Sequence, residues 1–249
     1  MKIVLTVIVL AIFCEGRGDS LQKDSVVSDS STAITPPKRI LRFTTRLHST
    51  GFFNFSGRIC SPTPAADINF LWEKKGYGVS VFSVRDLYDK HSDNNFTFGI
   101  AYKRFTCSRR FTITPSFGVV MDGFGDTFGD RIFIISAFKA SPKLTIDETT
   151  LVANALNPME EKEWVNRIRI MYAQTSQLQF ILSNWHNNAV FDEQGYFSTS
   201  LQALYSRIKI ADRVHAQTSV SFFVMAKNSE EVPKQEKSGL MFAFAISIE

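Results

Sequence analysis

At 249 residues, with 44% hydrophobic and 21% charged side chains, the chain has the length and composition of a single folded domain. A formal net charge of +4 is too mild to imply a nucleic-acid partner, and beyond the N-terminus no run of 18 apolar residues offers a transmembrane helix. A mean hydropathy of -0.04 still admits a membrane barrel, because a barrel strand shows lipid only every second residue.

In chain order, Lys2 precedes an apolar stretch over residues 3–13 that is too short to span a bilayer, with small residues at Gly16, Gly18 and Ser20. This pattern predicts a signal peptide over 1–20. The bulky Phe13 before Cys14 argues against a lipidated cysteine. Residues 21–37 are rich in Ser, Thr and Asp and end in Pro36-Pro37, which predicts a disordered periplasmic lead-in. The folded domain is expected over 38–249.

From residue 41 onward, apolar residues alternate with polar ones in runs of about ten. One phase runs from Leu41 to Ile59, either one long strand or two with a bend at Gly51, and is counted as one. Eleven more are expected at 66–74, 78–87, 95–105, 110–120, 131–140, 144–154, 164–174, 178–186, 196–210, 214–226 and 239–248. The connections are short, then long, in turn: tight turns at 74–77, 106–109, 141–143, 175–177 and 211–213, and loops at 88–94, 121–130, 155–163, 187–195 and 227–238. The short turns are basic and the long loops acidic. The predicted fold is all-β: a closed antiparallel up-and-down transmembrane β-barrel of about 12 strands, with brief periplasmic turns and longer outer loops.

Apolar positions are assigned to lipid, among them Phe43, Phe53, Phe55, Phe98, Ile100, Ile113, Phe117, Ile168, Ile170, Phe242, Phe244 and Ile246. Register is then strongly specified, since a slip of one residue would put arginines into lipid. Pro115 inside a strand removes a ladder donor. Cys60 and Cys107 fall at opposite ends of the barrel and are expected as thiols.

This architecture, together with the C-terminal strand over 240–248, resembles the bacterial outer-membrane β-barrel superfamily over residues 38–249. The resemblance implies outer-membrane localisation, contact with membrane lipid and lipopolysaccharide, and insertion by the barrel-assembly machinery. Ending on Glu249 rather than an aromatic departs from the usual pattern.

Opposite the apolar face lie Arg42, Arg46, Arg58, Lys103, Arg167 and Arg169, with Glu73 and either Asp147 or Glu148. Basic side chains lining a lumen favour anions, and a guanidinium fork matches carboxylate. In charge pattern the chain is similar to narrow outer-membrane channels for acidic sugars, so a small anionic solute is the expected cargo. Ion pairing of these arginines inside a plugged barrel is the competing expectation. Trp185, His186 and Asn187 close one strand at the long-loop end and form a second candidate site, or simply a turn.

No enzyme is expected: His48-Ser49 and His91-Ser92 are adjacent pairs, and neighbours on a strand point to opposite faces. His48, His91, His186 and His215 offer no metal-ligand spacing, and no cofactor is expected. A secreted soluble β-sandwich is the alternative fold, although it gives no reason for the short-and-long rhythm.

Overall fold

The computed structural model describes residues 39–53, 57–89, 95–122, 128–156, 162–188, 195–227 and 238–249. The expected signal peptide and lead-in lie outside these residues, as do Phe55 and most of the long loops. In chain order the strands are β1 (Ile40–His48), β2 (Gly51–Phe53), β3 (Arg58–Ser61), β4 (Ala65–Lys74), β5 (Tyr77–Asp86), β6 (Phe96–Lys103), β7 (Phe105–Thr106) and β8 (Phe111–Asp122). They continue as β9 (Phe128–Lys139), β10 (Leu144–Ala153), β11 (Glu163–Ala173), β12 (Leu178–Asn188), β13 (Tyr196–Ala211), β14 (Val214–Lys227) and β15 (Ser238–Ile248).

Every barrel strand pairs antiparallel with its chain neighbour, and β1 pairs with β15 to close the ring. β6 and β7 both pair with β8 and act as one strand interrupted at Arg104. The interruption faces Pro115: the ladder stops at Tyr102↔Ser116 and resumes at Phe105↔Ile113. A proline lacks the donor that would bridge the gap. Among the described residues the result is a closed barrel of twelve strands without helices.

The first strand breaks near Gly51, as the two-strand alternative has it, but the second piece does not join the wall. The phase shared by residues 41–59 is broken at His48, and β2 and β3 leave the wall to pair only with each other. The wall resumes at Ala65, which lies opposite His48. A period-2 pattern cannot register this, because both pieces keep the same alternation while the chain between them turns away.

Outward faces carry exposed large apolar residues around the ring: Leu41, Phe43, Ile68, Phe70, Val79, Val81, Phe117, Ile168, Ile170, Leu201, Phe222, Phe242 and Phe244. A water-facing surface this apolar would aggregate, whereas a lipid-facing one requires it.

β6 reverses the expected facing. Phe96 and Phe98 are 6% and 1% exposed and turn into the barrel, where they join Val84, Phe133, Leu151, Val165 and Trp185. Phe98 and Phe133 rings meet at 5.9 Å. Ile100 packs against the same cluster. Thr97, Gly99 and Ala101 therefore take the outer face that Phe98 and Ile100 were expected to fill.

Candidate functional site in the barrel lumen

The interior divides into two sectors. Over β5–β12 the apolar cluster fills the end near the long loops. Gly57, in the turn between β2 and β3, reaches across the lumen to this wall. A Cβ added to it would lie 2.3 Å from the Trp185 ring and 2.6 Å from Ser198 Oγ, and its φ is +70°. Only glycine allows both the left-handed backbone and so close an approach. The β2–β3 hairpin thus rests on the far wall rather than standing out from the rim.

The other sector is open and polar. A cavity of about 310 Å³ runs along β11–β15, β1, β4 and β5, walled by Ser183, Ser200, Gln202, Ser219 and Ser221 together with apolar residues such as Phe82, Ile181 and Met241. Charge enters it from two sides. On β1 and β4, Asp67 is 1% exposed and faces Arg46 directly across the ladder. The Arg46 Nε stands 3.7 Å from its carboxylate, and His48 Nε2 contacts the same oxygen. Asp67 Oδ1 and His48 Nδ1 make no hydrogen bond among the described residues.

On the opposite wall, Arg169 faces Asp147 in register and donates to it from Nε at 2.9 Å and from Nη2 at 2.6 Å. The fork geometry fixes the guanidinium while leaving it a quarter exposed to the lumen. Beside it Arg167, 4% exposed, donates to Thr149 Oγ1 at 3.0 Å and does not line the cavity. Asp147 is thus the inward carboxylate of the Asp147–Glu148 pair, and Glu148 is exposed on the outer face.

The remaining expected lumen residues are dispersed. At the short-turn end Arg42 pairs with Glu249 at 2.5 Å, and both stay half exposed. Glu73 is buried and accepts from Arg104 Nη2 at 2.9 Å and from the Tyr102 hydroxyl at 2.7 Å. Tyr102 reaches Glu73 by crossing over Gly78, where a Cβ would lie 2.2 Å from the tyrosine ring. Lys103 is not in the lumen. It lies opposite the exposed Tyr77 on the outer face, with its Nζ 3.5 Å from that ring's centre, because β6 faces the other way. Arg58 belongs to β3 of the hairpin and not to the wall.

Nor do Trp185, His186 and Asn187 form one site. Trp185 and Asn187 are buried inside, with Asn187 Nδ2 donating to the Tyr196 hydroxyl at 2.8 Å. His186 points outward and stacks on Phe197 at 4.4 Å. Strand alternation separates a side chain from both its neighbours.

The lumen partners that sequence reasoning missed are Asp67, Arg104 and Tyr102. Asp67 had a readable signal: once β1 and β4 are paired, it falls opposite Arg46, as Asp147 falls opposite Arg169. Arg104 had none, because it sits in the break between β6 and β7.

No family model matches the sequence, and no curated protein matches it. Solved structures share the architecture. A KdgM porin superposes with a TM-score of 0.58 at 9% identity, covering 84% of this chain and 98% of the porin. A NanC porin gives 0.56 at 10% identity, covering 84% of this chain and 100% of the porin. A KdgM porin in complex with disordered oligogalacturonate gives 0.56 at 8% identity, with coverage of 84% and 98%. The fold of this chain is therefore that of small twelve-stranded outer-membrane porins.

Proposed function

We propose that the protein is an outer-membrane channel whose narrow lumen passes small anionic solutes along the polar sector. The observation that carries this reading is the cavity itself, with Arg46 on one wall and Arg169 on the other. Asp147 holds the Arg169 guanidinium in a fork, and Asp67 lies 3.7 Å from Arg46 Nε. Both arginines line the lumen and offer positive charge to a passing carboxylate or phosphate. The serine and glutamine wall between them offers neutral hydrogen-bonding groups along the path. The architecture shared with a porin complexed with oligogalacturonate supports the same class of cargo, by fold alone. Membrane lipid, lipopolysaccharide and the barrel-assembly machinery are the partners this reading entails. Residues 1–20 would direct export and 21–37 would lead into the barrel.

The test is planar-bilayer recording of purified protein in a salt gradient. A selective channel gives an anion-directed reversal potential that moves toward cations in Arg46→Glu with Arg169→Glu. A second reading, a plugged structural barrel, is favoured by the packing of Phe98, Phe133 and Trp185 beneath the hairpin. It is the outcome if folded protein inserts without conductance.

A further inference from the structure

The outer wall is not uniformly suited to lipid. On β14, β15, β1 and β4 the outward side chains include Val220, Phe222, Phe242, Phe244, Leu47 and Ile68, all exposed and apolar. On β10–β12 the corresponding surface holds Glu148, Asn166 and Asn184 among the exposed Ile168, Ile170, Tyr172 and Phe180. Glu148 is the fifth of ten residues in β10, a strand of about the 9–11 residues needed for a tilted crossing. It therefore sits near mid-depth, exposed, between Ser136 and the exposed Ile168 in the ladder. In the next strand pair Asn184 lies opposite Ile168 and is also exposed.

Hydrogen bonding leaves these groups half satisfied. Asn166 Oδ1 accepts from Thr150 at 3.1 Å, and Asn184 Oδ1 accepts from Thr199 at 2.8 Å. Both bonds use the amide oxygens, and among the described residues no hydrogen bond engages the NH₂ groups. Acyl chains can neither donate to the Glu148 carboxyl nor accept from these amides, and polar groups at such depth carry a cost unless a partner meets them.

We propose that the outer face of β10–β12 is the contact between two copies of this chain in the membrane. The patch is self-complementary: it offers donors in Asn166 and Asn184 and an acceptor in Glu148. In a two-fold interface each residue meets the other's counterpart, so one set of donors and acceptors serves both copies. Asn166 and Asn184 are diagonal neighbours across the β11–β12 ladder, so they form one patch on this face. Polar side chains between apolar surfaces act as the adhesive contact inside membranes.

This rests on the membrane-barrel reading but not on an open lumen. The test is energy transfer between separately labelled copies co-reconstituted in phosphatidylcholine vesicles, with the mass of the detergent-solubilised protein measured alongside. Wild type should show transfer above the random-collision level and twice the monomer mass. The triple variant Glu148→Leu, Asn166→Leu, Asn184→Leu should fall to the random level while keeping the heat-dependent gel shift of a folded barrel. If that triple variant loses the shift, Glu148→Gln with Asn184→Leu is read in the same way. Monomeric wild type, or variants that associate as strongly as wild type, overturns the proposal, including the case in which only an unrelated protein is captured on this face. Absence of the gel shift in wild type overturns the barrel reading itself.

Discussion

The two halves of the barrel interior are built from the same alternation yet behave in opposite ways. Over β5–β11 the inward positions include Val84, Phe96, Phe98, Phe133, Leu151 and Val165, which pack together. Over β12–β15 they include Ser183, Ser200, Ser219, Ser221, Ala243 and Ala245, which line the open cavity. In one half the apolar face turns inward on β6; in the other the inward face is small and polar in mid-wall, with Tyr196, Phe223 and Met225 packed together toward the long-loop end. A barrel wall thus has no fixed rule that apolar means lipid. The rule holds where the interior is an open polar cavity and fails where apolar side chains pack across it.

This contrast can be broken at several points, and the expected effects descend in size. Phe98→Ala should cost about 3–5 kcal/mol, the loss typical of a phenylalanine removed from a tight core. Phe242→Ala on the lipid face should cost clearly less. Urea unfolding of vesicle-inserted protein measures both, and equal losses would place Phe98 in lipid after all. Gly57→Val should cost about 1–3 kcal/mol through overpacking against Trp185, and should raise single-channel conductance by lifting the hairpin off the wall. Unchanged conductance would mean that the hairpin does not limit the path.

Asp147→Asn isolates the polar half. Losing the charge that holds Arg169 should cost about 1–2 kcal/mol, below the full penalty for a buried pair because the arginine is partly exposed. It should also strengthen anion preference, read as a larger reversal potential. A shift toward cations would exclude Arg169 from the path. Lys103→Ala should cost about 0.5–1 kcal/mol for its contact with Tyr77 and leave selectivity unaltered. Altered selectivity would return Lys103 to the lumen.

Much of the wall was legible before any coordinates. The strands ending at 74, 173 and 248 fall within a residue of expectation, as do the tight turns, because strand length and turn chemistry are local. Facing was legible where charge fixed it: Arg46 and Arg169 cannot point into lipid, so β1 and β11 have one permitted phase. On β6 no charge decided between the two faces until Lys103, which snorkels over Tyr77 at the short-turn end and so satisfies itself outside. The partners Asp67 and Asp147 needed only register, whereas Arg104 and Arg58 needed the break at Pro115 and the hairpin.

By itself, then, the sequence determined the twelve-strand barrel, its strand order and the inward phase of Arg46 and Arg169. Alternation and turn spacing are properties of short stretches of chain. Only the tertiary structure decided which half of the interior is filled, which carboxylate holds which arginine, and where polar groups meet lipid. Those depend on residues brought together around the ring, and on a glycine that touches a tryptophan more than a hundred positions away.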